Sequence, residues 1–418
     1  MTDLPALLCA TGGVPDAAVG ADAGADAGAA DPAAAPGPGD FRTTLTHDEI
    51  VFRYPDPRHE LIDPRIWYYL DLPTPDGRRG SQPPPPDHLE PVPGGWERSW
   101  PLAGLDLDRL EYEFTAGHPD APGERTMVAD PGNPLRVSGP FSGPSWLPLP
   151  GYAPPGWLAG ARRPMVCQTV QIRALAPADE APADEAPADE APAGELEVQV
   201  WSPPDAAGTE LPLLIAHDGP EFDRLGALTD AVAALGAAGR LPALRVALLP
   251  PQHRTAMYAA NPAYAAWLVE QAVPALREAL PTRGRPILAG PSLGGLAALH
   301  AEWRYPGTFA GLLLLSGSFF TDEFDSHESG FEHWARLRGF IDEVYAVGSP
   351  PSRPAVSMGW GTAEENRHNN LAMAARLEGL GVPVQRATRR DGHTFTCWRN
   401  LLDPLLPQVV AAAWPEEG

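Results

Sequence analysis

The chain has 418 residues, enough for two domains, 44% of them hydrophobic, and a formal charge of −24. No basic stripe suggests a nucleic-acid surface. Cys9, Cys167 and Cys397 are too far apart for a disulfide framework or a zinc site, and a chain whose bases are all Arg rules out lysine chemistry.

Residues 1–40 hold six acids and no base, and are built largely from Ala, Gly and Pro. Such a segment buries too little apolar surface to offset its ordering entropy and is expected to be disordered. "LPALLCA" is short for a signal h-region and lacks a basic n-region. The sequence has no stretch of about 18 apolar residues that would span a membrane. A cytoplasmic protein that binds neither membrane nor nucleic acid is the expectation; the oligomeric state is left open.

Between 41 and 160, "EIVFRYP", "RIWYYLDL" and "RLEYEFTAG" alternate apolar and polar residues between turn signals. That period of two, with aromatic and β-branched residues, predicts strands of a β-sandwich domain. "SQPPPPDHLEP" reads as a proline-rich loop, and "SGPSWLPLPGYAPPGWL" as an extended connector lying on another surface. A second domain is expected from 161 to 415. Within it, "MVCQTVQIRAL" and "ELEVQVWSPP" read as strands flanking an APADE repeat at 174–195, which is expected to be a disordered, dispensable hairpin loop.

After residue 210 the pattern changes. "LPLLIAHDG", "LRVALLPP", "RPILAGPS", "FAGLLLLSGS", "PAVSMGWG" and "VPVQRATRR" are short apolar runs suited to buried strands. Helical segments lie between them, at 222–239, 261–280, 293–306, 327–347 and 366–381. Strand–helix alternation predicts parallel strands with helices on both faces. Counting the two earlier strands gives an α/β class with an eight-stranded, mostly parallel sheet, the α/β-hydrolase layout.

In this layout Gly290-Pro291-Ser292-Leu293-Gly294 falls on the turn from the fifth strand into a helix, where a G-x-S-x-G elbow exposes a nucleophilic serine. The bland alternative is an N-cap serine. A serine hydroxyl needs a base, and the order for this fold is Ser, acid, His. His393 follows the eighth strand and is the candidate base. Of the other histidines, His300 lies within a helix and His327, His333 and His368 in or near helices, where packing or surface roles are preferred. His217 and His253 compete only by residue type. After the seventh strand stand Glu364 and Glu365; Glu364 is favoured as the acid, with Glu365 the alternative. For the oxyanion hole, Leu293 supplies one amide. Pro220 has no N–H, so Gly219 or Glu221 must supply the other.

Four stretches, "LLIAHDGPEF", "GPSLGGLAALHAEWRYPGTFAGLLLLSGSFF", "GTAEEN" with "NNLAMAARLEGLG", and "DGHTFTCWRNLLDPLL", resemble the enterochelin (enterobactin) esterase family of esterase D-like α/β-hydrolases. The resemblance covers roughly 165–415 and, more weakly, 41–160. It implies an immunoglobulin-like N-terminal domain and hydrolysis of siderophore esters in the cytoplasm, releasing iron from ferric catecholate trilactones. It also implies Ser292 as nucleophile, His393 as base and Glu364 as acid. A ferric triscatecholate is an anion, and Arg254, Arg399 and Trp398 are the candidate substrate contacts. No metal or organic cofactor is expected, since iron would arrive with the small-molecule ester. The repeat and the acidic tail depart from the family pattern. Carboxylesterase or acyltransferase activity of the esterase D type, or ligand binding without turnover, are the alternatives.

Overall fold

The computed structural model describes residues 41–68, 70, 87–137, 143–174, 192 and 194–415. The N-terminal tail, most of the proline-rich loop and most of the APADE repeat lie outside them. Eight strands come first: β1 (Thr44–Leu45), β2 (Glu49–Pro55), β3 (Ile62–Tyr68), β4 (Glu90–Val92), β5 (Gly95–Pro101), β6 (Arg109–His118), β7 (Ala121–Val128) and β8 (Ser145–Pro148). They form two four-stranded antiparallel sheets, β1-β2-β5-β4 and β3-β6-β7 with β8 on β6. One apolar core joins them, with Ile50, Phe52 and Trp100 from the first sheet meeting Ile66, Tyr112 and Phe114 from the second. Phe52 sits edge-on to both Trp100 and Tyr112, the arrangement that aromatic quadrupoles prefer.

The remaining strands are β9 (Val166–Ala174), β10 (Gly194–Ser202), β11 (Leu213–Ala216), β12 (Arg245–Leu248), β13 (Ile287–Pro291), β14 (Gly311–Leu315), β15 (Ala355–Gly361) and β16 (Val384–Arg389). They form one eight-stranded sheet in the order β16-β15-β14-β13-β11-β12-β10-β9. The run from β12 to β16 is parallel, whereas β10 pairs antiparallel with both β9 and β12.

Ten helices accompany the sheet among the described residues: α1 (Gly219–Gly226), α2 (Leu228–Ala237), α3 (Arg254–Tyr258), α4 (Pro262–Trp267), α5 (Val273–Ala279), α6 (Leu293–Arg304), α7 (Asp322–Asp325), α8 (Trp334–Ala346), α9 (Arg367–Gly379) and α10 (Phe395–Ala413).

Burial on both faces explains the unbroken apolar strands. Leu312 and Leu314 of β14 join the core under α4, α6 and α8, while Leu313 and Leu315 join the core under α2 and α10. Each such Leu contributes about 1.5–3 kcal/mol relative to exposure.

The segment at 222–239, read as one helix, is two. Ala227 adopts a left-handed φ of 53° between them. The Asp223 carboxylate accepts from both the amide and the hydroxyl of Thr229 and so caps the second helix. Among the described residues, no helix is long and apolar enough to cross a membrane.

Candidate active site

Ser292 stands between β13 and α6 with φ 55° and ψ −124°. Such a conformation costs a non-glycine residue about 1–3 kcal/mol and persists only where its surroundings impose it. Here the Ser292 amide donates to Leu315 O (2.8 Å), and its carbonyl accepts from the Ser318 amide (3.2 Å). Gly290 permits the turn, because a Cβ there would lie 2.4 Å from the Gly294 carbonyl. The Ser292 hydroxyl therefore sits at the positive end of α6.

His393 lies between β16 and α10, its Nε2 3.1 Å from Ser292 Oγ. Its other nitrogen faces two carboxylates, with Glu365 Oε1 at 3.5 Å and Glu364 Oε2 at 3.7 Å. Among the described residues, neither His393 Nδ1 nor Glu364 Oε1 has a hydrogen-bond partner. Glu364 is buried, and its Oε2 accepts from Ser316 Oγ (2.8 Å), which in turn accepts from the Trp398 indole N–H (2.8 Å). The Glu365 side chain is 38% exposed. The two loops are joined by backbone, since the Thr362 amide donates to Arg389 O (2.7 Å) and the Ala363 amide to Asp391 O (3.0 Å).

Burial alone would push His393 down; the Glu365 and Glu364 carboxylates outweigh it, and its pKa is raised from 6.5. Burial also raises Glu364, with the His393 contact opposing it. An imidazole acts as a base only when neutral, so with His393 as the expected base, activity should appear as pH rises through its pKa. The acid limb of kcat/KM is therefore expected to have its midpoint above 6.5, and a pH–rate profile on an aryl ester would check this. A midpoint at or below that value would contradict it.

The other expected site residues fare differently. The Leu293 and Glu221 amides stand in the first turns of α6 and α1, where N–H groups have no intrahelical acceptor. Gly219 is corrected: its amide already donates to Leu249 O at 3.0 Å.

Arg254 is near His393, but its fork is closed on Asp218 by two bonds of 2.7 Å, so its charge is largely compensated. Arg399 turns instead toward Asn400 Oδ1 (3.2 Å) and Tyr152. Trp398 is 4% exposed and packs edge-on against His393, with ring centroids 5.0 Å apart.

Sequence reasoning missed three contributors. Ser316 links Glu364 to Trp398, and Ser318 Oγ lies 3.4 Å from Ser292 Oγ. Both follow β14 at the sheet's carboxyl edge, which was the available signal. His217, treated as a competing base, is fully buried, and burial pushes its pKa down to about 4. Its neutral ring donates from Nδ1 to Gly294 O at 2.8 Å, bracing the turn after Ser292.

The site brings together a strained serine on a strand-to-helix turn and a histidine within reach of its hydroxyl. The family model described as "Putative esterase" matches residues 190–408, more than half of the chain, and the chain belongs to this esterase family. Similar solved structures include the enterochelin esterase from Shigella flexneri, at 19% identity over 90% of this chain and 95% of that one, with a TM-score of 0.65. The enterobactin esterase from Shigella flexneri in the presence of enterobactin matches at 20% identity over 89% and 95%, with a TM-score of 0.63. The ferric enterobactin esterase from Salmonella typhimurium matches at 21% over 88% and 94%, with a TM-score of 0.61. At these identities the likeness is one of fold, extending over most of both chains. No curated protein matches the sequence.

Proposed function

We propose that the protein is a serine carboxylic ester hydrolase of the α/β-hydrolase fold, working through an acyl-enzyme on Ser292. The observation that carries this reading is the 3.1 Å approach of His393 Nε2 to Ser292 Oγ on a strained turn. Ser292 Oγ attacks the ester carbonyl as His393 takes its proton. Glu364 holds Nδ1–H and stabilises the imidazolium, and the Leu293 and Glu221 amides hold the oxyanion. Collapse expels the alkoxide, which takes the proton back from His393. Water then repeats the sequence to release the acid.

In this reading residues 41–160 form an immunoglobulin-like β-sandwich domain and 161–415 the catalytic domain. Trp157 already packs in the catalytic core, so the chain changes over just before it.

For substrate we propose siderophore esters of the enterobactin type, with iron release inside the cell as the consequence. Support comes from the fold shared with enterobactin esterases along most of the chain. One observation favours a second reading, a carboxylesterase for uncharged esters: the Arg254 charge is taken up by Asp218, which weakens the case for an anionic ligand. A panel of ferric trilactone, iron-free trilactone and p-nitrophenyl esters separates the two. Preference for a trilactone by about tenfold or more in kcat/KM is expected (about 1.4 kcal/mol). Turnover of simple esters with none of either trilactone would remove the siderophore reading.

A further inference from the structure

β6 begins with Arg109, whose side chain is 1% exposed. It is not near solvent, and it is not paired within its own sheet alone. Nε donates to Asp391 Oδ2 at 2.7 Å, while Nη2 donates to Glu111 Oε1 and, at 3.3 Å, to Thr394 Oγ1. The guanidinium also lies over the Trp146 ring, 5.9 Å from its centroid. Asp391 and Thr394 bracket His393 in the chain. Thr394 is also the cap of α10, accepting from the Cys397 amide at 3.1 Å. Beside this grip, the Asp108 amide donates to Arg390 O (2.6 Å), and Arg390 pairs with Asp106 and Asp108. Through the Ala363 amide on Asp391 O, the same grip reaches the loop of Glu364.

We propose that Arg109 is a positioning residue for the esterase reaction. The N-terminal β-sheets hold the His393 loop in register with Ser292 through it, so the N-terminal part of the chain is required for turnover as well as for any contact with substrate. The proposal rests on reading His393 as the base. A buried guanidinium that loses its acceptors is strongly disfavoured, so the loop has one favoured position relative to β6. Arg109 acts through Asp391 and Thr394. Asp391, Glu111, Thr394 and the Arg399 charge face the guanidinium, while Ser292, Glu364, Glu365 and the Arg254 charge face His393.

The test uses the full chain with Arg109→Met, Arg109→Lys and His393→Ala. Kinetics on a p-nitrophenyl ester across pH are read beside thermal unfolding. In Arg109→Met, kcat is expected to fall roughly 10- to 100-fold with KM little changed, the scale of a displacement of about 1 Å. The acid limb should also move to lower pH, because His393 slips away from both carboxylates. Arg109→Lys, which keeps the charge and loses the fork, should recover part of kcat. Should the Met variant fail to fold, the Lys variant decides alone, a reduced kcat with the shifted limb being the supporting result. Parental kcat and acid limb in the folded variants, with His393→Ala inactive, would overturn the positioning role and leave the base assignment standing. Turnover retained in His393→Ala would overturn both.

Discussion

Ser292→Ala is expected to lower p-nitrophenyl ester hydrolysis by about 10⁴- to 10⁶-fold, the range over which loss of a catalytic serine is felt. The fold should be indifferent to the change. The bonds that hold Ser292 in its strained conformation are made by backbone, its amide donating to Leu315 O and its carbonyl accepting from the Gly295, Leu296 and Ser318 amides. Among the described residues, the hydroxyl itself meets His393 Nε2 and, at 3.4 Å, Ser318 Oγ. Alanine keeps the backbone bonds and loses the nucleophile, so thermal unfolding should move by less than about 1 kcal/mol. Residual hydrolysis would reflect the oxyanion donors and binding, which survive the substitution. Retention of more than a tenth of the activity would mean that bond cleavage does not pass through Ser292.

The second large effect separates the two carboxylates. Glu364→Gln is expected to reduce kcat by about 10²- to 10⁴-fold, as loss of the orienting acid does in related triads. Glu365→Gln should cost less than about tenfold. Distance alone does not distinguish them, at 3.7 and 3.5 Å from His393 Nδ1. Environment does. Glu364 is buried, and its Oε2, the oxygen 3.7 Å from Nδ1, is anchored by Ser316 Oγ. Nδ1 is buried without a partner among the described residues, and catalytic hydrogen bonds commonly tighten only when substrate binds. Glu365 is more than a third exposed, so water screens its pull on the imidazolium. Glutamine at 364 still accepts from Ser316 Oγ but carries no charge for the imidazolium. Parallel steady-state kinetics on both variants check the assignment, and the reverse ranking would transfer the role to Glu365.

Much of this is legible in the amino-acid sequence itself. The doubly buried strands show as apolar runs because both faces of each are covered. The elbow shows because glycines crowd a serine where such a run ends. Other features lie beyond sequence reasoning for physical reasons. Arg254 and Asp218 are far apart in sequence, and nothing local indicates that the guanidinium closes on that carboxylate. Gly219 reads as a free donor because its acceptor, Leu249 O, comes from a neighbouring segment. "RLEYEFTAG" reads as a strand by its alternation of apolar and polar residues. In the structure Arg109, Glu111 and Glu113 are all buried, and the first two meet Asp391 or its partner Arg109. Alternation distinguishes two faces of a strand; it does not tell whether water or another part of the chain covers the polar one.

The proposed acyl-enzyme is a covalent species, and mass spectrometry of an acid-quenched reaction would detect it. Mixing the protein with a p-nitrophenyl ester and quenching during the first turnovers should leave the acyl group on the peptide that contains Ser292, with none in Ser292→Ala. Turnover with no acyl adduct, together with failure of a fluorophosphonate to label Ser292, would exclude an acyl-enzyme on that serine.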